Sequence, residues 1–185
     1  MLLGEVDRDV LELFSQNVVA SYSINQIAKK LNKSYPYVNK RVSALLDDGI
    51  LQKRVVGSAH LCSLNFFNDS CIALLSLVEI EKRDAAIKKN RALDMALSWV
   101  KEHPKLRGYE CMVVSERTVF LVGDEKPRRK LEGMHQKLIS EDQFKNMLEQ
   151  GKVLKEHVIL AGFEAYFMMV REIEAELRLR YGKMS

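Results

Sequence analysis

Ser23-Ile24-Asn25-Gln26-Ile27-Ala28-Lys29-Lys30-Leu31-Asn32-Lys33-Ser34-Tyr35-Pro36-Tyr37-Val38 is the stretch on which the fold turns. Ser23, with Gln26 three residues on, forms a capping box in which hydroxyl and amide satisfy two otherwise orphaned backbone groups. Ile24, Ile27, Ala28 and Leu31 follow at helical spacing. Asn32-Lys33 reads as a tight turn. Ser34 then caps a third helix with Pro36 in its first turn, where a missing N–H costs nothing. Val38, Val42, Leu45 and Leu46 recur at i, i+4, i+7 and i+8, so one face is core, and Gly49 ends the helix.

Working outward, Val6, Val10, Leu13 and Phe14 predict an opening helix over residues 6–16. Residues 50–55 and 59–64 read as two short strands joined by a turn at Val56-Gly57-Ser58. The order is helix, helix, helix, hairpin. Charge follows this division. Residues 1–22 set Arg8 against Glu5, Asp7, Asp9 and Glu12, an acidic excess of three. Residues 23–60 set Lys29, Lys30, Lys33, Lys40, Arg41, Lys53 and Arg54 against Asp47 and Asp48, a basic excess of five. A well-patterned basic block of this kind points to a polyanion more than the net charge of +4 does.

These residues resemble the winged helix-turn-helix family of bacterial and archaeal regulators. The likeness is carried by 23–31, by Ser34-Tyr35-Pro36-Tyr37-Val38 and by Leu45-Leu46-Asp47-Asp48-Gly49-Ile50-Leu51. It covers about a third of the chain and implies that the third helix is the recognition helix. With Val38, Val42 and Leu45 buried, the outward set is Tyr35, Tyr37, Asn39, Lys40 and Arg41. Asn39 is suited to adenine, and Lys40 or Arg41 to guanine or a phosphate. Ser34 and the neighbouring amides form a helix N-terminus suited to a phosphate oxygen. Lys33 lies in the turn, and Lys53 and Arg54 lie on the hairpin as a flanking wing. The expected partner is double-stranded DNA. The same fold also serves elsewhere as a protein-interaction module without DNA contact.

Beyond residue 65 the pattern changes. Polar residues 65–70 read as the junction between a domain at 1–65 and a second at 66–185. Residues 71–78 fit either a buried strand or a helix running to Arg83, and Ala73, Leu74, Leu77, Val78 and Glu81 at helical spacing favour the helix. A further helix is predicted over 84–103, stopped by Pro104, with Ile87, Leu93, Ala96, Leu97 and Val100 inward and Met95 and Trp99 as core. Two strands at 108–114 and 117–122 flank Ser115-Glu116. A basic helix is predicted over 127–137, a helix capped by Ser140 and Gln143 runs to Gln150, residues 153–160 are irregular or extended, and a long final helix covers 162–181. Its stripe of Phe163, Tyr166, Phe167, Val170, Ile173 and Leu177 is either central to its domain or shared with a second subunit, which suggests a homodimer.

From residue 66 on, the chain loosely resembles archaeal proteins that follow a winged helix with a minimal nucleotidyltransferase-like domain. The likeness lies in 74–79, 138–148 and 155–167. An active member needs Gly-Ser after the first strand and Asp-x-Asp on the next, to hold Mg²⁺ for phosphoryl transfer. Here Glu110-Cys111-Met112-Val113-Val114 runs into Ser115-Glu116, and Arg117-Thr118-Val119-Phe120-Leu121-Val122 carries no paired carboxylates. The expectation is therefore no enzyme. The alternative is a residual Mg²⁺-dependent nucleotidyltransferase using Glu110, Glu116 and Asp124.

Composition is consistent with this. With 47% apolar residues, nine Gly and three Pro, the chain is long enough for a packed core and is not low-complexity. The sequence shows no signal peptide and no membrane span, which predicts a cytoplasmic protein. Cys62, Cys71 and Cys111 are scattered, and the four histidines lack metal spacing, so neither cofactor nor metal is expected. Cys111 reads as packing rather than as a nucleophile, and Glu156-His157 as a surface pair. Lys126-Pro127-Arg128-Arg129-Lys130 reads as a solvated helix start, with a phosphate contact as the other option. The fold class expected is α+β: a winged helix-turn-helix, then a small α/β domain with a long C-terminal helix.

Overall fold

A computed structural model describes residues 4–56, 59–102, 109–124, 134–151 and 157–181. By internal contacts the chain divides into two compact units: Met1–Val78 together with Glu174–Ser185, and Glu79–Ile173. The junction expected at 65/66 thus lies inside the first unit, and the division falls at residues 78/79 instead.

The first unit opens with α1 (Glu5–Ser15), α2 (Ile24–Lys30) and α3 (Tyr35–Asp47), then the hairpin β1 (Leu51–Val56) and β2 (Ala59–Leu64). Val6, Val10, Leu13, Phe14, Ile27, Val38, Val42 and Leu45 are all buried, as the periodicity predicts. Each such side chain contributes about 1.5–3 kcal/mol on leaving water. The Ser23–Gln26 capping box forms in both directions, at 3.2 and 2.8 Å. Asn32 ends α2 in the left-handed region, φ 51°, with Lys33 N–H donating to the Ala28 carbonyl and Asn32 N–H to that of Lys29. Gly49, φ 70°, ends α3 with the same paired closure, through Ile50 to Leu45 and Gly49 to Leu46. The strands pair antiparallel from Leu51↔Leu64 to Val56↔Ala59, with β1 shifted one residue along from the expected 50–55. Tyr22 adds a short bridge to Cys62, a third edge that the sequence pattern does not announce.

The first unit is completed by the start of α4 (Asp69–Ile87) and by α8 (Glu174–Tyr181). The helix predicted at 71–83 is present, but with a different buried face. Cys71, Ile72, Leu75 and Val78 are buried, whereas Ala73 and Leu77 are exposed. Arg178 of α8 donates to the Val19 and Leu64 carbonyls at 3.2 and 3.0 Å and pairs with Glu174.

The second unit is a four-stranded sheet of β3 (Tyr109–Ser115), β4 (Thr118–Gly123), β5 (His135–Ile139) and β6 (His157–Ala161), in the order β5-β4-β3-β6. All pairs are antiparallel except β4 with β5. Residues 111–114 and 119–122 are buried throughout, which explains an unbroken apolar run where a half-exposed strand would alternate. The rest of α4, then α5 (Arg91–Glu102), α6 (Glu141–Glu149) and α7 (Phe163–Glu172), complete the unit.

Three elements differ from expectation. The helix predicted over 84–103 is split, because α4 continues to Ile87 and α5 begins at Arg91, with the Asn90 side chain accepting from Ala92 N–H at 3.0 Å. Residues 135–137 belong to a strand, held parallel to Thr118–Phe120, rather than to a basic helix. Residues 157–160, expected to be irregular or extended, are extended and form β6. The long final helix is two helices, broken at Ile173 (φ −108°, ψ 16°). On α7 the residues Tyr166, Phe167, Met169 and Val170 are buried by the chain itself, so this stripe needs no second subunit. Met95 is exposed and Trp99 half-buried, rather than both being core. Gly57-Ser58, Pro104 and the basic run 126–130 lie outside the described residues. No helix among the described residues is long and apolar enough to cross a membrane.

Candidate nucleic-acid interface

The turn between α2 and α3 presents the α3 N-terminus and its outward face. Tyr37, Lys40, Ala44 and Asp47 lie along one stripe at i, i+3, i+7 and i+10, opposite buried Val38, Val42 and Leu45. Tyr35 and Tyr37 are about half exposed, and Lys40 is exposed with no ion pair among the described residues. Asn39 is half-buried at the edge of this face. Ser34 holds the N-cap position of α3, but its hydroxyl makes no capping bond, which leaves that oxygen and the first amides of the helix outward. Ser43 and Ala44, partly exposed on the same face, were not singled out in the sequence, because short neutral side chains carry no compositional signal.

Two of the predicted outward cations are engaged from within. Arg41 donates through Nε to Asp7 Oδ1 at 2.8 Å and through its second nitrogen to Asp7 Oδ2. Asp7 is fully buried and also accepts from Gly4 N–H at 2.9 Å. The fork therefore ties α3 to the start of α1, and the hydrogen bonds to Asp7 raise the Arg41 pKa. Lys33 lies between Asp9 and Glu5, at 3.0 and 3.2 Å, and those hydrogen bonds raise its pKa as well, Asp9 contributing more. The acidic excess of residues 1–22 is thus spent on the basic turn. Lys30 sits over the Tyr22 ring, 5.1 Å from its centroid.

On the hairpin, alternation separates the two expected contacts. Lys53 shares a face with buried Leu51 and with exposed Val55, and lies across from Cys62. Arg54 points to the opposite face, where its charge helps burial lower the pKa of Arg178. Lys53 and Arg54 are both exposed and leave the hairpin on opposite faces. Within residues 23–56 the exposed cations free of ion pairs among the described residues are accordingly Lys29, Lys30, Lys40, Lys53 and Arg54.

Three helices and a tight turn leading into β1 are what the comparison with known families recognises: the model for winged helix-turn-helix DNA-binding matches residues 3–52. This segment is a winged helix-turn-helix domain. The hairpin β1–β2 is its wing. No curated protein and no solved structure matches the chain, and nothing identifies the second unit.

In that second unit the three carboxylates considered for metal chemistry do not meet. Glu110 and Asp124 lie at one end of the β3–β4 hairpin, where Tyr109 pairs with Gly123, and Glu116 sits in the turn at the other, roughly 20 Å along the strand. No group of three metal-ligating side chains occurs among the described residues. Cys62, Cys71 and Cys111 are buried free thiols. Burial pushes Cys71 up to about 12 and Cys111 higher still.

His157 was read as one half of a surface pair, and the structure corrects this. Its ring stacks on Tyr166, with centroids 5.2 Å apart, and its Nε2 is buried without a hydrogen-bond partner. Glu156 lies outside the described residues. No signal in the sequence marks His157, because its surroundings come from α4 and α7.

Proposed function

We propose that the protein is a sequence-specific DNA-binding regulator whose winged helix reads duplex DNA through α3. In this reading the second domain is non-catalytic and serves dimerisation or partner binding. The observation that carries the reading is the unpaired, exposed Lys40 beside Tyr37 on the outward stripe of α3. A helix presenting a free ammonium and two half-exposed tyrosines fits a major groove, with Lys53 on the wing against the adjacent backbone. The separation of Glu110, Asp124 and Glu116 supports a silent second domain, a relic of the nucleotidyltransferase-like fold it resembles. Two recognition helices in a homodimer would meet half-sites about one helical turn apart.

The test is selection of bound genomic fragments by the full chain at moderate salt, followed by anisotropy titrations on the enriched sequence. An enriched inverted repeat is expected. Lys40→Ala should weaken binding several-fold and reduce the salt slope by about one, while leaving thermal unfolding unchanged. Arg41→Ala is expected to lower thermal stability, because it leaves buried Asp7 unpaired, so its effect on DNA is not a measure of contact. Unchanged affinity in folded Lys40→Ala would remove α3 from the interface.

One observation favours a second reading, the protein-interaction module. Lys33 and Arg41 are neutralised internally, which thins the basic surface the sequence promises. Absence of any DNA binding at low salt would promote it.

A further inference from the structure

The second unit carries a cleft of about 390 Å³ that the DNA-binding reading does not use. One wall is α4, where Glu79, Lys82, Arg83 and Ala86 fall at i, i+3, i+4 and i+7 and so share a stripe, with Ala85 beside them and Lys89 in the turn that follows. The other wall is the start of β6, the edge strand, with His157 and Val158. A volume of this size suits a small organic molecule.

Its charges are arranged with a purpose that folding alone does not explain. Arg83 is committed: it pairs with Asp84 at 2.8 Å, donates to the Leu160 carbonyl at 3.2 Å and packs over the Phe163 ring. Glu79 is buried and held by Lys82 at 2.6 Å, so the one carboxylate lining the cleft is compensated. Lys82 keeps further N–H donors, since an ammonium has three. Lys89 is exposed and makes no ion pair among the described residues. The cleft therefore has unspent positive charge along one side and an apolar floor of Ala85, Ala86 and Val158.

We infer that this cleft binds a small organic anion, its oxyanion group held by Lys89 and Lys82 and its apolar body lying on Ala85, Ala86 and Val158 beside the His157 ring. The chemistry shared by the candidate ligands is a carboxylate or phosphate on a compact apolar frame. His157 supports the assignment. Buried polar atoms nearly always have a partner, and here both His157 Nε2 and the Tyr166 hydroxyl behind it have none. Burial first, and then the Lys82 charge, push the imidazole down to about 4, so the ring lines the cleft in its neutral form. The inference stands apart from DNA binding and is read without DNA.

The experiment is an NMR titration of the full chain with hexanoate, with inorganic phosphate and with neutral hexanamide. Saturable shifts at Ala85, Ala86 and Val158 with hexanoate identify a carboxylate ligand, and saturable shifts with phosphate identify a phosphate ligand. Either supports the site. An anion seated there should also raise the His157 pKa from its low starting value. Lys89→Ala should weaken binding about tenfold, the scale of one charge-assisted hydrogen bond. Ala85→Leu, at an exposed helical position, should block binding while leaving every charge in place. Response to neither anion, equal response to hexanamide, or unchanged affinity in both variants would overturn the proposal.

Discussion

Stacking a neutral imidazole on Tyr166 makes the second unit sensitive to acid. In the unfolded chain His157 titrates near 6.5, and in the fold near 4. Between these values the unfolded state binds the extra proton, so stability falls as the pH drops from about 6.5 toward 4. The shift corresponds to about 3 kcal/mol when complete. Glu79 works in the opposite sense, because burial raises its pKa and its protonation on acidification favours the fold. The difference between the chain and His157→Gln isolates the histidine: urea unfolding at pH 7 and pH 4.5 should show a markedly smaller acid loss in the variant. Equal losses would mean that the ring is not held neutral. Single residues were also where the sequence misled. Lys40 was legible as outward, because its spacing from Val38 and Val42 fixes its face. Arg41 was not, since the carboxylate that claims it lies 34 residues away and no local pattern records such a pairing.

Elements were readable where punctuation was strong. Both Ser-x-x-Gln boxes, at Ser23 and Ser140, formed as expected, and Gly49 and Gly151 end their helices with φ of 70° and 73°. Without punctuation the boundaries moved. Residues 163–181 contain no glycine or proline, so nothing in the pattern marks the break at Ile173, which tertiary packing decides. The strand at 135–139 was hidden for the converse reason: its identity comes from pairing with β4. Gly162 shows how tightly one junction is built. It links β6 to α7 at φ 74°, and a Cβ there would lie 2.6 Å from Cys111 Cα and overlap the Glu110 carbonyl oxygen. Both neighbours are central-strand backbone and cannot give way. Gly162→Ala is expected to destabilise the unit by about 3 kcal/mol or more, from left-handed strain plus overpacking. A thermal midpoint within a degree of the parent would contradict the packing described.

At the scale of the whole molecule, the two compact units are not consecutive in sequence. Residues 174–178 return to the unit that holds the winged helix, and there Arg178 is the linchpin: nearly enclosed, paired with Glu174 and bonded to the carbonyls of Val19 and Leu64. Arg178→Ala leaves the buried Glu174 carboxylate and the Val19 carbonyl without their donor, while Leu64 keeps Gln52 Nε2 at 3.0 Å, and should cost about 3 kcal/mol. The Glu174→Ala, Arg178→Ala pair should recover part of that loss, since the stranded charge is then gone. Thermal unfolding of the two variants distinguishes this from simple packing, in which the losses would add. A boundary at residue 65 was the natural reading because the polar run at 65–70 looks like a linker, and no local signal reports that α8 returns.

That return sets an order of events during synthesis. At about 5–20 residues per second, α8 leaves the ribosome roughly 5–20 s after the hairpin it braces. The winged helix is thus assembled on a base that is finished only after the entire second unit has been translated. A chain cut short anywhere before α8 carries its winged helix on an unbraced support, so premature termination destabilises that domain without removing a single residue of its three helices or hairpin.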